Sequence, residues 1–155
     1  MRCMYLYRLQ RAEFPTDINS FVEGARITQG RWHSYLPVIY TTETSSLAIL
    51  ELLGYYINQK FIQADYNLIT LQVGSRVRIK DILPQLPENW EEDQETTRYM
   101  GKDWFQSQET CLLRVPSVHT PKESNIIINP FHPEFNQISV IDIQEYNFSK
   151  KFYST

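Results

Sequence analysis

Glu51 is the first residue to consider for chemistry. It interrupts an apolar run that reads Ser46-Leu47-Ala48-Ile49-Leu50 before it and Leu52-Leu53-Gly54-Tyr55-Tyr56 after it. A helix that is apolar almost all round is a buried helix. A carboxylate on such a helix is costly to hold away from water unless something pairs with it. An acid of this kind facing a cleft is a candidate for catalysis. The alternative is an acid at a wet helix edge, paired with an arginine for structural reasons, and the helix alone does not choose between them. Other polar residues sit at strand ends or inside apolar runs: Arg31, Tyr40, Ser117 and Asn129. An arginine fork suits phosphate, and a tyrosine ring suits stacking. The set holds one carboxylate, so it lacks the second acid of an ordinary glycosidase. It also lacks a clear Ser-His-Asp arrangement. Ser117 and His119 are alternate residues, which point the same way on an extended strand without having to touch.

Several chemistries are disfavoured. The sequence has no phosphate-cradling glycine loop, no GxSxG elbow and no HExxH pair. With 5 glycines in 155 residues, phosphate contacts fall to arginine rather than to backbone. His33, His119 and His132 show no close ligand spacing, and Cys3 and Cys111 form no CxxC, so no metal is expected. A net charge of -3 offers no basic stripe, so direct nucleic-acid binding is not expected. No apolar run is long enough to cross a bilayer. The first residues lack the apolar core of a signal peptide, and two distant cysteines fit reduced thiols in the cytoplasm. Hydrophobic content of 42% and charged content of 21% are those of a globular protein of one domain.

The elements that must carry these residues follow from periodicity. Alternation or short apolar runs predict strands over 4–9, 38–40, 66–73, 76–79, 111–115, 125–129 and 138–143. A short helix is expected over 21–26. A second runs over 46–58 with Ile49, Leu52, Leu53 and Tyr56 inward and Glu51 off that face, beside Ala48 and Tyr55. A third spans 96–107 with Tyr99, Met100 and Trp104 inward and Gly101 as a weak point. The acidic stretch 88–95 reads as a solvated surface. There is no repeat and no linker, so residues 1–155 are expected to form a single compact α/β (α+β) domain.

Taken together and in order, Gly30-Arg31-Trp32, Pro37-Val38-Ile39-Tyr40-Thr41-Thr42, Leu47-Ala48-Ile49-Leu50-Glu51, Val115-Pro116-Ser117 and Asn125-Ile126-Ile127-Ile128-Asn129-Pro130-Phe131-His132-Pro133 resemble the RES domain. The resemblance runs from Leu6-Tyr7-Arg8 to near the C-terminus. The family is named for an arginine, a glutamate and a serine, which here would be Arg31, Glu51 and Ser117. The resemblance implies an ADP-ribosyltransferase-like fold, with a central sheet split around an NAD cleft and flanking helices. It implies a bacterial cytoplasmic toxin of a type II toxin–antitoxin pair, with an Xre-type helix-turn-helix antitoxin as partner. Toxins of this type often form homodimers. NAD is the implied substrate, and no cofactor or metal is implied beyond it.

The implied activity is cleavage of the nicotinamide–ribose bond, with water or phosphate as acceptor. In that reading Glu51 steadies an oxocarbenium-like ribose, and Arg31 holds the pyrophosphate or the nicotinamide-side phosphate. Tyr40 stacks on nicotinamide or hydrogen-bonds it, and Ser117 positions ribose or Glu51. Asn129 joins the same shell, and Arg8 is a second phosphate ligand or a strand-edge ion pair. Arg31 also reads as a structural ion pair of Glu51. Two alternatives stand beside this one: an ADP-ribosyltransferase that modifies a specific protein, and a non-catalytic module that binds a nucleotide or a partner. Two departures from the family are visible. His33 stands where the family usually has asparagine, and Phe148-Ser149-Lys150-Lys151-Phe152 replaces its closing aspartate–proline–arginine pattern.

Overall fold

The computed structural model describes residues 3–56 and 64–153. Seven strands appear: β1 (Met4–Arg11), β2 (Ile39–Thr42), β3 (Asp65–Val73), β4 (Ile79–Asp81), β5 (Leu112–Pro116), β6 (Ser124–Ile128) and β7 (Ile138–Asn147). The helices are α1 (Glu23–Arg26), α2 (Ser45–Tyr56) and α3 (Gln94–Ser107). The strands form one mixed sheet in the order β4-β5-β6-β2-β1-β3-β7, with β4 and β5 parallel and the other neighbours antiparallel. The fold is a single compact α+β domain.

The sheet is sewn unevenly. β1 pairs with β3 from Met4–Val73 to Arg11–Tyr66, and β2 pairs with β6 from Ile39–Ile128 to Thr42–Asn125. Between β1 and β2 the register holds one pair, Tyr7–Thr42. The sheet is therefore two ladders, β4-β5-β6-β2 and β1-β3-β7, that diverge along a seam.

Alternation along the strands gives each face its own core. Leu6, Ile39, Ile69, Leu71, Leu112, Ile126 and Ile128 bury one cluster with Phe21 and Val22. Leu113, Val115 and Ile127 bury the other under Trp32 and Trp104.

Some expectations needed revision. The strand expected over 76–79 begins only at Ile79. Arg78 gives its backbone N–H to Glu134 Oε1 (2.9 Å) and its Nε to Oε2 (3.3 Å), so Glu134 takes the place of a ladder partner. In α3, Tyr99 faces solvent at 69% exposure, whereas Trp104 is buried and Met100 packs beside it. Gly101 is a close-approach site rather than a weak point. A Cβ there would collide with the carbonyl of Trp32, so glycine lets α3 lie on that backbone.

The α2 helix is less buried than its composition predicts. Leu47 and Ala48 are buried, but Ile49, Leu52 and Leu53 are half-buried and Leu50 is 38% exposed. The expected end of this helix at Asn58 lies outside the described residues.

Candidate active site

Glu51 reaches the seam because of where α2 starts. Thr44 Oγ1 accepts the Leu47 N–H (3.1 Å) and caps the helix. From that start, Ala48, Glu51 and Leu52, spaced i, i+3 and i+4, line the cleft. Strand alternation supplies the other side. Ser117 continues the face of Leu113 and Val115, and Asn125 that of Ile127.

The outcome is a carboxylate held by three donors. Ser117 Oγ donates to Oε1 (2.7 Å), Asn125 Nδ2 donates to the same oxygen (3.1 Å), and His119 Nδ1 contacts Oε2 (3.0 Å). Ser117 is itself fixed, because its oxygen accepts the N–H groups of His119 (3.0 Å) and Thr120 (3.3 Å). A Cβ at Gly54 would overlap the His119 ring, so that glycine lets the imidazole lie across α2. The Glu51 side chain is 26% exposed, a partly open acid rather than a sealed one.

Across the seam stands Arg8, on the parity of Leu6. Its Nε donates to Gln10 Oε1 (3.0 Å), Nη1 to Tyr40 O (3.2 Å) and Nη2 to Phe21 O (3.4 Å), and its guanidinium lies 4.9 Å over the Phe21 ring. Burial lowers its pKa to about 10, so it stays cationic at neutral pH. Among the described residues no carboxylate pairs with it. Of the five N–H donors on a guanidinium, these bonds use three.

Arg8 and Tyr40 are shared by two adjoining cavities of about 250 Å³ each. One is lined also by Thr42, Ala48, Glu51 and Asn125. The other is lined by Phe21, Gly30, His33 and Val38. Each is near the lower end of the roughly 300–1,000 Å³ usual for small-molecule sites. The two cavities meet at Arg8 and Tyr40, and Glu51 lies in the first of them.

Tyr40 is positioned by His33. The two are 2.7 Å apart, Tyr40 Oη to His33 Nδ1, while His33 Nε2 lies 3.0 Å from the carbonyl of Ala25. A carbonyl can only accept, so Nε2 carries the proton and Tyr40 donates to Nδ1. Burial pushes the His33 pKa down, with a further push from the nearby Arg98 charge, against the opposing bond to Ala25. Neutral His33 therefore contributes stability that is full above its unfolded value of 6.5 and is lost as pH falls from there toward the folded value. Replacing His33 with Gln should flatten the pH dependence of the melting temperature below pH 6.5, and an unchanged slope would remove His33 as its source. The His33 side chain thus bridges Tyr40 to Ala25. Gly30 is required here too, since a Cβ would press on Tyr40 Oη (2.8 Å) and the His33 ring (2.9 Å).

Two expected members of the site are elsewhere. Arg31 does not pair with Glu51. Its Nη1 donates to the carbonyl of Glu91 (2.8 Å) and its guanidinium lies 5.6 Å over Trp90, which ties the arginine turn to the acidic stretch before α3. The guanidinium that shares a cavity with Glu51 is that of Arg8. Asn129 is fully buried in the turn after β6, where it donates to Phe105 O (3.4 Å) and accepts the Phe131 N–H (3.0 Å). It belongs to that turn and not to the shell of Glu51. The tail forms a π-helical turn over Ser149–Tyr153, with Lys151 Nζ 5.9 Å over the Tyr146 ring. His119 and Asn125 were not expected to hold Glu51, although both share strand parity with residues that were.

Among the described residues no group of three His, Cys, Asp or Glu side chains could hold a metal ion, and no helix is long and apolar enough to cross a membrane.

Residues 5–149 match the RES domain. The chain is 33% identical over 147 residues to Toxin Res of Photorhabdus laumondii, covering 90% of this chain and 92% of that one. It is 30% identical over 134 residues to the Prs ADP-ribosylating toxin of a Sphingobium species, covering 83% of each. In fold it is similar to a chain of the crystal structure of the M. tuberculosis MbcT-MbcA toxin-antitoxin complex. That likeness has a TM-score of 0.79 at 18% identity, covering 99% of this chain and 91% of that one. The chain belongs to the RES domain family.

Proposed function

We propose that this protein is the toxin of a toxin–antitoxin pair and that it breaks the nicotinamide–ribose bond of NAD. The observation that carries the proposal is the cleft along the seam, where Glu51, oriented by three donors, shares a cavity with Arg8, which pairs with no carboxylate among the described residues. Nicotinamide in NAD is already cationic and leaves as a neutral base, so the bond breaks without a general acid. The C1′–N electron pair departs with nicotinamide, and positive charge develops on the ribose. A carboxylate fixed beforehand stabilises that charge without reorganising. The acceptor O–H then adds to C1′ and releases its proton. The two N–H donors of Arg8 that the described residues leave unused suit the pyrophosphate. Tyr40, its hydroxyl engaged by His33, offers a ring face to a base.

The test is incubation of pure protein with NAD, with nicotinamide release followed by chromatography and the ribosyl product weighed with and without phosphate. No release with water, phosphate or added cell protein, from a folded sample, rejects the enzyme reading. A second reading, transfer of ADP-ribose to a protein, is favoured by the name of the Sphingobium relative. It predicts release only when a target protein is present. The partner in either case is a cognate antitoxin, as in the MbcT-MbcA complex; its Xre type and a homodimeric toxin are part of the same proposal.

Arg8→Lys keeps the charge but not the fork. The loss of one charge-assisted bond should raise KM for NAD about 10- to 100-fold with a smaller change in kcat. An unchanged KM would remove Arg8 from phosphate recognition.

A further inference from the structure

Asn125 has a polar atom left over. Its Nδ2 donates to Glu51 Oε1 at 3.1 Å, and this contact fixes the amide, because the flipped amide would set two acceptor oxygens against each other. The other end, Oδ1, is buried and has no hydrogen-bond partner among the described residues. Asn125 also lines the cavity that Glu51, Arg8 and Tyr40 line. A buried acceptor without a donor is rare in folded proteins and calls for a reason. A ligand donor in that cavity would supply one.

The geometry narrows the donor. The oxygen and nitrogen of an amide share one carbon, so Oδ1 sits an amide width plus one hydrogen bond, about 4–5 Å, from the carboxylate oxygen that Nδ2 holds. Two acceptors at that spacing can each take one of two hydroxyls on adjacent carbons of a five-membered ring. We propose that Asn125 and Glu51 together read the cis-diol of the ribose beside the scissile bond, with Glu51 taking one hydroxyl and Asn125 Oδ1 the other. This rests on the NAD reading and extends it. Asn125 becomes a substrate-contacting residue that selects ribosides over deoxyribosides, and its bond to Glu51 sets the spacing of the pair.

The experiment compares kcat/KM for NAD with two analogues lacking the 2′- or the 3′-hydroxyl of the nicotinamide ribose, in the natural protein and in Asn125→Ala. In the natural protein each deletion should cost about tenfold or more. In Asn125→Ala one penalty should vanish while the other persists. Ratios within one variant cancel any general loss of activity from disturbing Glu51. Asn125→Ser, checked by circular dichroism, repeats the measurement where the alanine variant is poorly folded. The proposal is overturned if both penalties survive in the variants. It is overturned without any variant if only one hydroxyl matters to the natural protein. A ketone analogue that lacks the carboxamide N–H separates the other available donor: loss of its penalty in Asn125→Ala would assign Oδ1 to the carboxamide and sink the diol reading. Failure of the natural protein to turn over NAD at all sinks the underlying reading instead.

Discussion

Glu51→Gln should release nicotinamide from NAD about 10²- to 10³-fold more slowly than the natural protein, while melting within about 4 °C of it. The two halves of this expectation have different origins. The rate falls because glutamine has the shape of glutamate without its charge, and in the proposed reaction that charge is what meets the positive charge developing on ribose. Stability holds because the partners of Glu51 can be kept. The glutamine oxygen can still accept from Ser117 Oγ and Asn125 Nδ2. Its amide nitrogen then faces His119 Nδ1, which accepts by taking the other tautomer. Nicotinamide release by Glu51→Gln at the natural rate would take Glu51 out of the chemistry and leave it a structural acid. Loss of rate together with loss of the fold would be uninformative about charge, which is why the melting temperature is part of the result.

Gly101→Ala is expected to lower the melting temperature by about 4–8 °C, against the usual direction for this substitution. In an exposed helix, alanine is better than glycine by about 1 kcal/mol. At this site the new Cβ meets the carbonyl of Trp32, a backbone atom that cannot rotate away. Overpacking of a tight contact costs about 3 kcal/mol, which leaves a net loss of about 2 kcal/mol after the propensity gain, and each kcal/mol moves a domain of this size by about 2–4 °C. The effect would spread to the cleft. Thr97 Oγ1 bonds the carbonyl of Arg31 (2.6 Å) and Arg98 Nε that of Gly30 (2.7 Å), so α3 holds the turn that carries His33 and Tyr40's surroundings. Differential scanning calorimetry measures it. A higher melting temperature in the alanine variant would mean that helix and turn are less closely packed than described.

The strands were legible because aliphatic residues alternate along them or run together, and the acid of α2 was legible because nothing else charged interrupts that helix. What the sequence hides is mostly a matter of register. Asn125 and Asn129 flank the same apolar run, and only the pairing of Val115 with Asn125 decides which of them faces Glu51. His119 was visible as a neighbour of Ser117, but its contact with Glu51 depends on a loop that leaves β5 and on a glycine one turn along α2. Arg31 was placed at the acid through the arginine of the family's name, whereas local chemistry sends it to Trp90 and Glu91. Through the resemblance Arg8 reads as a second phosphate ligand or a strand-edge ion pair, and only the structure shows that it lines the cavity of Glu51. That β1 and β2 barely pair is not written in either strand, since both have the composition of ordinary sheet.

With Tyr7–Thr42 as the one paired position between its two ladders, the sheet has far fewer backbone bonds across that line than along either half. A dinucleotide laid along that line, gripped by Arg8 on one bank and Glu51 on the other, would act as a splint. Under the proposed reading, occupancy would then tighten the protein, and the empty and loaded forms would differ in how the halves move against each other rather than in the shape of either.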